Sequence, residues 1–87
     1  MTQISADIGQ LETLRVDFQR KADEIQGIAS GLRAGLDGTR WEGAGAERFR
    51  AQWHEEYEPV LGHLHSALIE AATELARTRD RLIQAGA

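Results

Sequence analysis

Apolar residues in the first part of the chain recur at the spacing of an α-helix. Over residues 4–36 they fall three and four positions apart, and only a helix turns that spacing into one continuous face. Five of them also repeat every seven residues: Ile4, Leu11, Phe18, Ile25 and Leu32. Charged residues fill the positions between them. The pattern predicts an amphipathic helix over about residues 4–37.

A second apolar pattern runs from Ala46 to Leu82, with an average step close to the 3.6 residues of a helical turn. Its main row is Phe49, Trp53, Tyr57, Val60, Leu64, Leu68, Ala71 and Leu75, and a heptad-spaced row beside it is Leu61, Leu68, Leu75 and Leu82. Trp53 falls inside the stripe and is expected in the core. A stripe wider than one seam indicates more than one neighbouring helix. We expect a second helix over about residues 45–84.

The two predicted helices are each about 50 Å long, at about 1.5 Å per residue. Folding back on itself is the only way the chain can cover their apolar faces, so the sequence predicts an all-α, antiparallel two-helix hairpin. Two helices leave part of both apolar stripes exposed to solvent. We therefore expect pairing into a four-helix bundle as a dimer. The residues expected to pack within the hairpin or across the dimer are Ile4, Leu11, Phe18, Ile25, Leu32, Phe49, Trp53, Leu61, Leu64, Leu68, Leu75 and Leu82.

The bend between the helices falls at about residues 38–45. Asp37-Gly38 is a turn signal, and Gly43 and Gly45 add backbone freedom. Thr39 and Glu42 also fit a capping box, so the second helix begins anywhere between residues 40 and 44. The sequence leaves this start open.

Two features disturb the regular helices. Pro59 lies inside the second one, where it removes a hydrogen bond and clashes with the carbonyl of Glu55, so we expect a kink there. Gly27, Gly31 and Gly35 recur every four residues near the end of the first helix. They either let another helix approach closely or mark a frayed helix end.

Length, composition and charge limit the kinds of partner and site that the chain can have. The 87 residues suffice for one small domain, and the absence of cysteine rules out disulfide or thiolate-metal staples, so helix pairing with a partner is expected to stabilise it. A net charge of -4 argues against nucleic acid as the partner. No basic residue precedes Arg15, so we expect no Sec-type signal. No run approaches the roughly 20 apolar residues of a membrane span.

Catalytic and metal chemistry find little support in the sequence. His63 and His65 lie about 200° apart on a helix, whereas a helical metal pair needs a spacing of three or four residues, so these histidines and His54 are expected on the surface. The glycines at the bend follow no strand and precede no Gly-Lys-Ser/Thr, so they form no phosphate loop. We expect neither enzyme activity, nor a cofactor, metal or small-molecule substrate.

A tryptophan stands two residues before a glycine at mid-chain, in Trp41-Glu42-Gly43, and the small residues 44–46 followed by Phe49 open the second helix. A lone Trp-x-Gly is common. Combined with the length, the two-helix pattern, the absence of cysteine and of a Sec-type signal, it resembles the WXG-motif family of small type VII (ESX) secretion proteins, over the whole chain.

The resemblance implies an antiparallel hairpin that pairs with itself or with a sister WXG-motif protein. The pair would be exported folded from the cytoplasm by a Sec-independent route, after a membrane ATPase of the type VII apparatus reads it, and would act as a secreted adaptor or effector. The export and partner-recognition residues would be Trp41 and Gly43.

In that family the export signal combines the Trp-x-Gly turn of one subunit with a carboxyl-terminal Tyr-x-x-x-Asp/Glu segment of the other. Here the only tyrosine, Tyr57, lies inside the second helix. We therefore expect the tail-less member of a heterodimer, in which Trp41 offers an apolar face and an indole N–H to the partner. Alternatively, Trp41 only covers the open end of the hairpin core, and the protein is an intracellular structural helix-pairing module with no export role.

Overall fold

A computed structural model describes residues 6–86 of the chain. Helix α1 covers Ile8–Gly38, α2 covers Ala44–Gln52, a π-helical turn covers Trp53–Tyr57, and α3 covers Glu58–Gln84. The last three elements follow one another without a break and form one long arm, residues 44–84. Helix α1 packs along α3, and ion pairs join Glu12 to Arg79 and Arg33 to Glu58, so the arms run antiparallel. The all-α hairpin expected from the sequence is confirmed.

Helix α1 begins at Ile8, about four residues after the start suggested by its apolar pattern. Asp7 is its N-cap, and the Asp7 carboxylate accepts a hydrogen bond of 3.0 Å from the backbone N–H of Gln10. This cap satisfies an N–H that the first helical turn leaves unpaired. Ile4, the first residue of the predicted heptad row, lies outside the described residues.

The second arm changes its helical form just before Pro59. Within the π-helical turn the backbone N–H of Glu58 bonds to the carbonyl of Trp53, five residues earlier. A wider turn here moves the carbonyls that precede Pro59 away from positions where its ring would clash. The second arm thus has a π-helical turn just before Pro59 and continues into α3. The kink expected at Pro59 stays a prediction.

The π-helical turn also rotates one part of the arm relative to the other. Phe49 and Tyr57 are eight residues apart, which in a continuous α-helix would separate their directions by about 80°. The extra residue in the turn cancels this difference. Their ring centroids lie 6.4 Å apart, and both side chains point to the same side of the hairpin.

The seam between the arms is built from small residues. Ala22 of α1, Ala46 of α2 and Ala72 of α3 are buried, and no larger side chain is fully buried in the described part of the chain. Larger residues flank the alanines and are half-buried: Leu11, Phe18, Ile25, Leu36, Leu61, Leu68, Leu75 and Leu82. In the second arm, the half-buried Leu61, Leu68, Leu75 and Leu82 therefore border the seam, whereas Val60 and Leu64 lie outside it.

The hairpin is long and thin. Its principal extents are 65 × 21 × 15 Å and its radius of gyration is 19.5 Å, whereas a globular chain of this length has a radius of gyration of about 12 Å. With only two layers, each helix is covered on one side. The fold thus leaves apolar surface that the chain cannot cover by itself.

Candidate functional site

The bend that carries Trp41 is a short loop of residues 39–43 between two capped helix ends. The hydroxyl of Thr39 donates to the carbonyl of Gly35 at 2.6 Å, and the N–H of Thr39 donates to that of Leu36 at 3.3 Å. Thr39 is thus the C-cap of α1, and α2 starts later, at Ala44. Gly43 is the N-cap of α2, and its carbonyl accepts from the N–H of Glu47 at 3.0 Å.

Trp41 lies at the tip of the hairpin, where its side chain is partly covered. Its ring centroid is 5.7 Å from that of Phe49, at a tilt of 46°, which is a favourable aromatic geometry. The residue is still 42% exposed. One side of the indole therefore contacts the second arm, and the other side is open to a partner.

Arg50 connects the second arm to this loop, a role that the sequence pattern did not reveal. Its Nη1 donates to the carbonyl of Trp41 at 2.8 Å, and its Nη2 donates to that of Thr39 at 3.2 Å. Its Cζ lies 6.0 Å from the Trp41 ring centroid, at the limit of a cation–π contact. Backbone carbonyls carry no sequence signature, so no residue pattern could have indicated these bonds.

A surface of apolar side chains extends from the tip along one side of the hairpin. One groove on it is lined by Leu32, Phe49 and Trp53, with Gly31, Gly35, Leu36 and Thr39. Another is lined by Leu14, Phe18, Ala71 and Leu75, with Glu74 and Thr78 at its edge. Helical spacing places Ile28, Tyr57, Val60 and Leu64 on the same side. We call this surface the apolar face: Leu14, Phe18, Ile28, Leu32, Phe49, Tyr57, Val60, Leu64, Ala71 and Leu75.

Large residues of the apolar face are unusually exposed. Val60 is 62% exposed, Leu32 is 51% exposed and Leu64 is 43% exposed. Leu64 lies two turns before Ala71, which lines a groove on this face. Scattered exposed apolar residues are normal on a protein surface, whereas a contiguous apolar patch marks an interaction site.

The opposite side of the hairpin is polar. The polar residues that line its grooves are Arg15, Gln19, Asp23, Gln26, Ser30, Arg33, Asp37, Arg50, His54, Glu58 and Thr73. Smaller or apolar residues, including Gly27, Ala29, Ile69 and Ala76, lie between them. Arg33 of α1 pairs with Glu58 of α3, and Nδ1 of His54 lies 3.7 Å from the same carboxylate. The hairpin therefore has one apolar face and one polar face, which is the arrangement of a helix pair that buries only one side.

Trp53 lies between the two faces. Together with Leu36 it lines grooves on both sides of the hairpin, so these two side chains form the contact between the arms near the tip. Trp53 is half-buried, and its indole N–H is buried without a hydrogen-bond partner among the described residues. Leaving such a donor unpaired costs about 1–3 kcal/mol.

At the far end of the hairpin, an ion pair joins α1 to α3. Glu12 of α1 pairs with Arg15 on its own helix and with Arg79 of α3, and Arg79 also lies 3.0 Å from the carboxylate of Asp80. Hydrogen bonds from Arg15 and Arg79 lower the pKa of the Glu12 carboxyl to about 2. This cluster holds the ends of α1 and α3 together.

Neither a metal centre nor a membrane span emerges from the described structure. In residues 6–86, His, Asp and Glu side chains form no group of three or more that could hold a metal ion. No helix in that range is long and apolar enough to cross a membrane.

Comparison with known proteins identifies no relative. A scan against protein-family models, a search of curated proteins and a search of solved structures all give no match for this chain.

Proposed function

We propose that this protein is a helix-pairing module that completes its hydrophobic core by binding a second helical hairpin along its apolar face. The observation that carries the proposal is the exposure of that face, while the buried residues within the described range 6–86 are alanines. A partner hairpin would cover the exposed leucines and aromatic rings in a four-helix bundle. The partner is a sister protein or a second copy of this chain.

The surface area supports such a partner. The chain exposes 6556 Å², whereas a globular monomer of 9.6 kDa exposes about 5,100 Å². The difference is larger than the roughly 800 Å² that each partner buries in an interface of standard size. One such interface would remove about half of this excess.

The finer proposal is export by a type VII (ESX) apparatus as a folded pair, with the protein acting as a secreted adaptor or effector and not as an enzyme. It rests on the resemblance to the WXG-motif family. The position of Trp41 supports it, because an exposed indole beside a two-helix bend is available to a partner or to the membrane ATPase. In this proposal Trp41 and Gly43 are the recognition residues.

A second candidate is an intracellular structural helix-pairing module with no export role. The contact between Trp41 and Phe49 favours it, since covering the end of the hairpin is by itself a sufficient role for the indole. Both candidates use the apolar face for pairing. They differ only in whether an export apparatus recognises Trp41 at the tip.

Pairing is tested by sedimentation equilibrium of the purified chain, alone and mixed with the product of the neighbouring gene. We expect a dimer in at least one sample. The variant Leu64→Glu should be monomeric in both, because it places a charge on the apolar face. The control Thr73→Glu, on the polar face, should pair normally. A folded wild-type monomer in both samples would contradict the proposal.

Export is tested by measuring the protein in the culture medium of the organism that encodes it, with and without the ATPase of the apparatus. We expect release only when the ATPase is intact, and strongly reduced release of Trp41→Ala. Equal release without the ATPase would eliminate the export role and leave the pairing module.

A further inference from the structure

The loop at the tip of the hairpin is held by one side chain from the second arm. Two of its backbone carbonyls, those of Thr39 and Trp41, accept hydrogen bonds of 3.2 and 2.8 Å from the guanidinium of Arg50. Among the described residues, no other side chain donates to a carbonyl of residues 39–43. A planar guanidinium suits this task because its donors point in fixed directions.

We infer that Arg50 is the positioning residue of the tip. It holds the Trp41 loop in one conformation, so that the indole is already ordered before a partner binds it. The inference rests on the proposed recognition role of Trp41. It concerns a residue that the Trp-x-Gly motif does not include, nine positions after the tryptophan.

The geometry explains how one residue fixes the indole. The bond to the Trp41 carbonyl fixes the backbone that carries the side chain, and the bond to Thr39 fixes the point where the loop leaves α1. The ring then rests on Phe49, one residue before Arg50 on the same helix. A loop that is ordered beforehand loses less conformational entropy when a partner binds, which raises affinity.

The position of Arg50 separates this role from general stability. It lies on α2, whereas the main seam joins α1 to α3 and the charge cluster of Glu12 and Arg79 lies at the far end. Removing the guanidinium therefore should free the loop and leave the seam intact. A residue that only stabilised the fold would affect both.

The test uses the full chain, labelled with ¹⁵N, and compares backbone order parameters of the amides of residues 40–43. In the wild-type protein we expect values near 0.85, and in Arg50→Met values below about 0.6, which mark a flexible backbone. Arg50→Lys should keep one of the two hydrogen bonds to the loop carbonyls and should give intermediate values. The matched control is Arg48→Met on the same helix, since Arg48 makes no hydrogen bond or ion pair within the described structure; its loop should stay rigid.

Two further readouts complete the test. The midpoint of thermal unfolding of Arg50→Met should lie within about 4 °C of the wild-type value. Export of Arg50→Met should fall severalfold, and export of Arg48→Met should not fall.

Unchanged order parameters in Arg50→Met would overturn the inference, as would a loss of thermal stability as large as that of a seam variant, or export equal to wild type. Failure of the proposed function has a different signature: Trp41→Ala would then be exported normally, whatever the loop order of the isolated chain.

Discussion

Gly43 has a backbone conformation that residues other than glycine rarely adopt. Its φ is 109° and its ψ is 179°, and a Cβ at this position would meet nothing within 4 Å. The need for glycine is therefore conformational and not steric. The loop must leave α1 and enter α2 within residues 39–43, and this one residue makes the reversal possible.

The variant Gly43→Ala should lower the free energy of unfolding by about 1–3 kcal/mol, because alanine is strained in this region of φ and ψ. Urea denaturation measures the change. The matched control is Gly45→Ala, inside α2, where the new Cβ would lie 3.9 Å from Cζ2 of Trp41, an ordinary contact. This control should be neutral or up to about 1 kcal/mol more stable. Similar effects in both variants would contradict the argument.

Leu68 and Trp41 should respond differently to truncation. Leu68 is half-buried in the seam, so Leu68→Ala should lower the free energy of unfolding by about 2 kcal/mol. Trp41 is 42% exposed, so Trp41→Ala should cost less stability while reducing export more. Thermal unfolding and export of both variants check this. A comparable loss of melting temperature would favour the view that Trp41 only covers the end of the hairpin.

At the scale of elements, the glycines of α1 lie in a regular helix. Helix α1 runs through Gly27, Gly31 and Gly35 to Gly38, so the alternative of a frayed helix end does not hold. A Cβ at any of the three would meet nothing within 4 Å. The second arm does not use the space above them. Gly31 and Gly35 line a groove of the apolar face, whereas Gly27 lies on the polar face.

This difference predicts opposite effects on folding and on pairing. Gly31→Ala and Gly35→Ala should each stabilise the isolated helix by up to about 1 kcal/mol, because alanine has the better helix propensity. Both should also weaken association, since the added methyl group keeps a partner helix farther away. Urea denaturation and sedimentation equilibrium measure the two effects.

Gly27→Ala is the control, with the same gain in helix propensity and normal association. If Gly31→Ala pairs as well as Gly27→Ala does, the partner does not approach α1 at this groove.

At the scale of the whole molecule, two groups of contacts lie at opposite ends of the seam between α1 and α3. The aromatic contacts and Arg50 act at the tip, and the cluster of Glu12, Arg15 and Arg79 acts at the far end. The pKa of Glu12 is lowered from 4.5 to about 2, which means that its charged form is stabilised by folding. This contribution is fully present above about pH 4.5 and is lost as the pH falls towards 2.

The variant Glu12→Gln should therefore melt at a lower temperature than the wild type at pH 7, and the gap should close as the pH is lowered to about 2. Thermal unfolding between these pH values measures it. Glu24→Gln is the control: its ion pair with Lys21, at 3.2 Å, lies within α1 and does not join the arms. A gap that is constant with pH would show that the Glu12 carboxylate does not contribute through its charge.

The sequence by itself determined the helical hairpin, because apolar residues three and four positions apart form a face only in an α-helix. It also indicated the place of the bend and predicted a kink near Pro59, since glycine and proline act on their own local backbone.

Only the tertiary structure decided which apolar residues of the second arm are covered. Against α1, the second arm buries Ala72 and half-buries Leu61 and Leu68, and it leaves Val60 and Leu64 exposed. It also placed Arg50 on the loop carbonyls, because a hydrogen bond to the backbone depends on position in space and not on the residue type that it contacts.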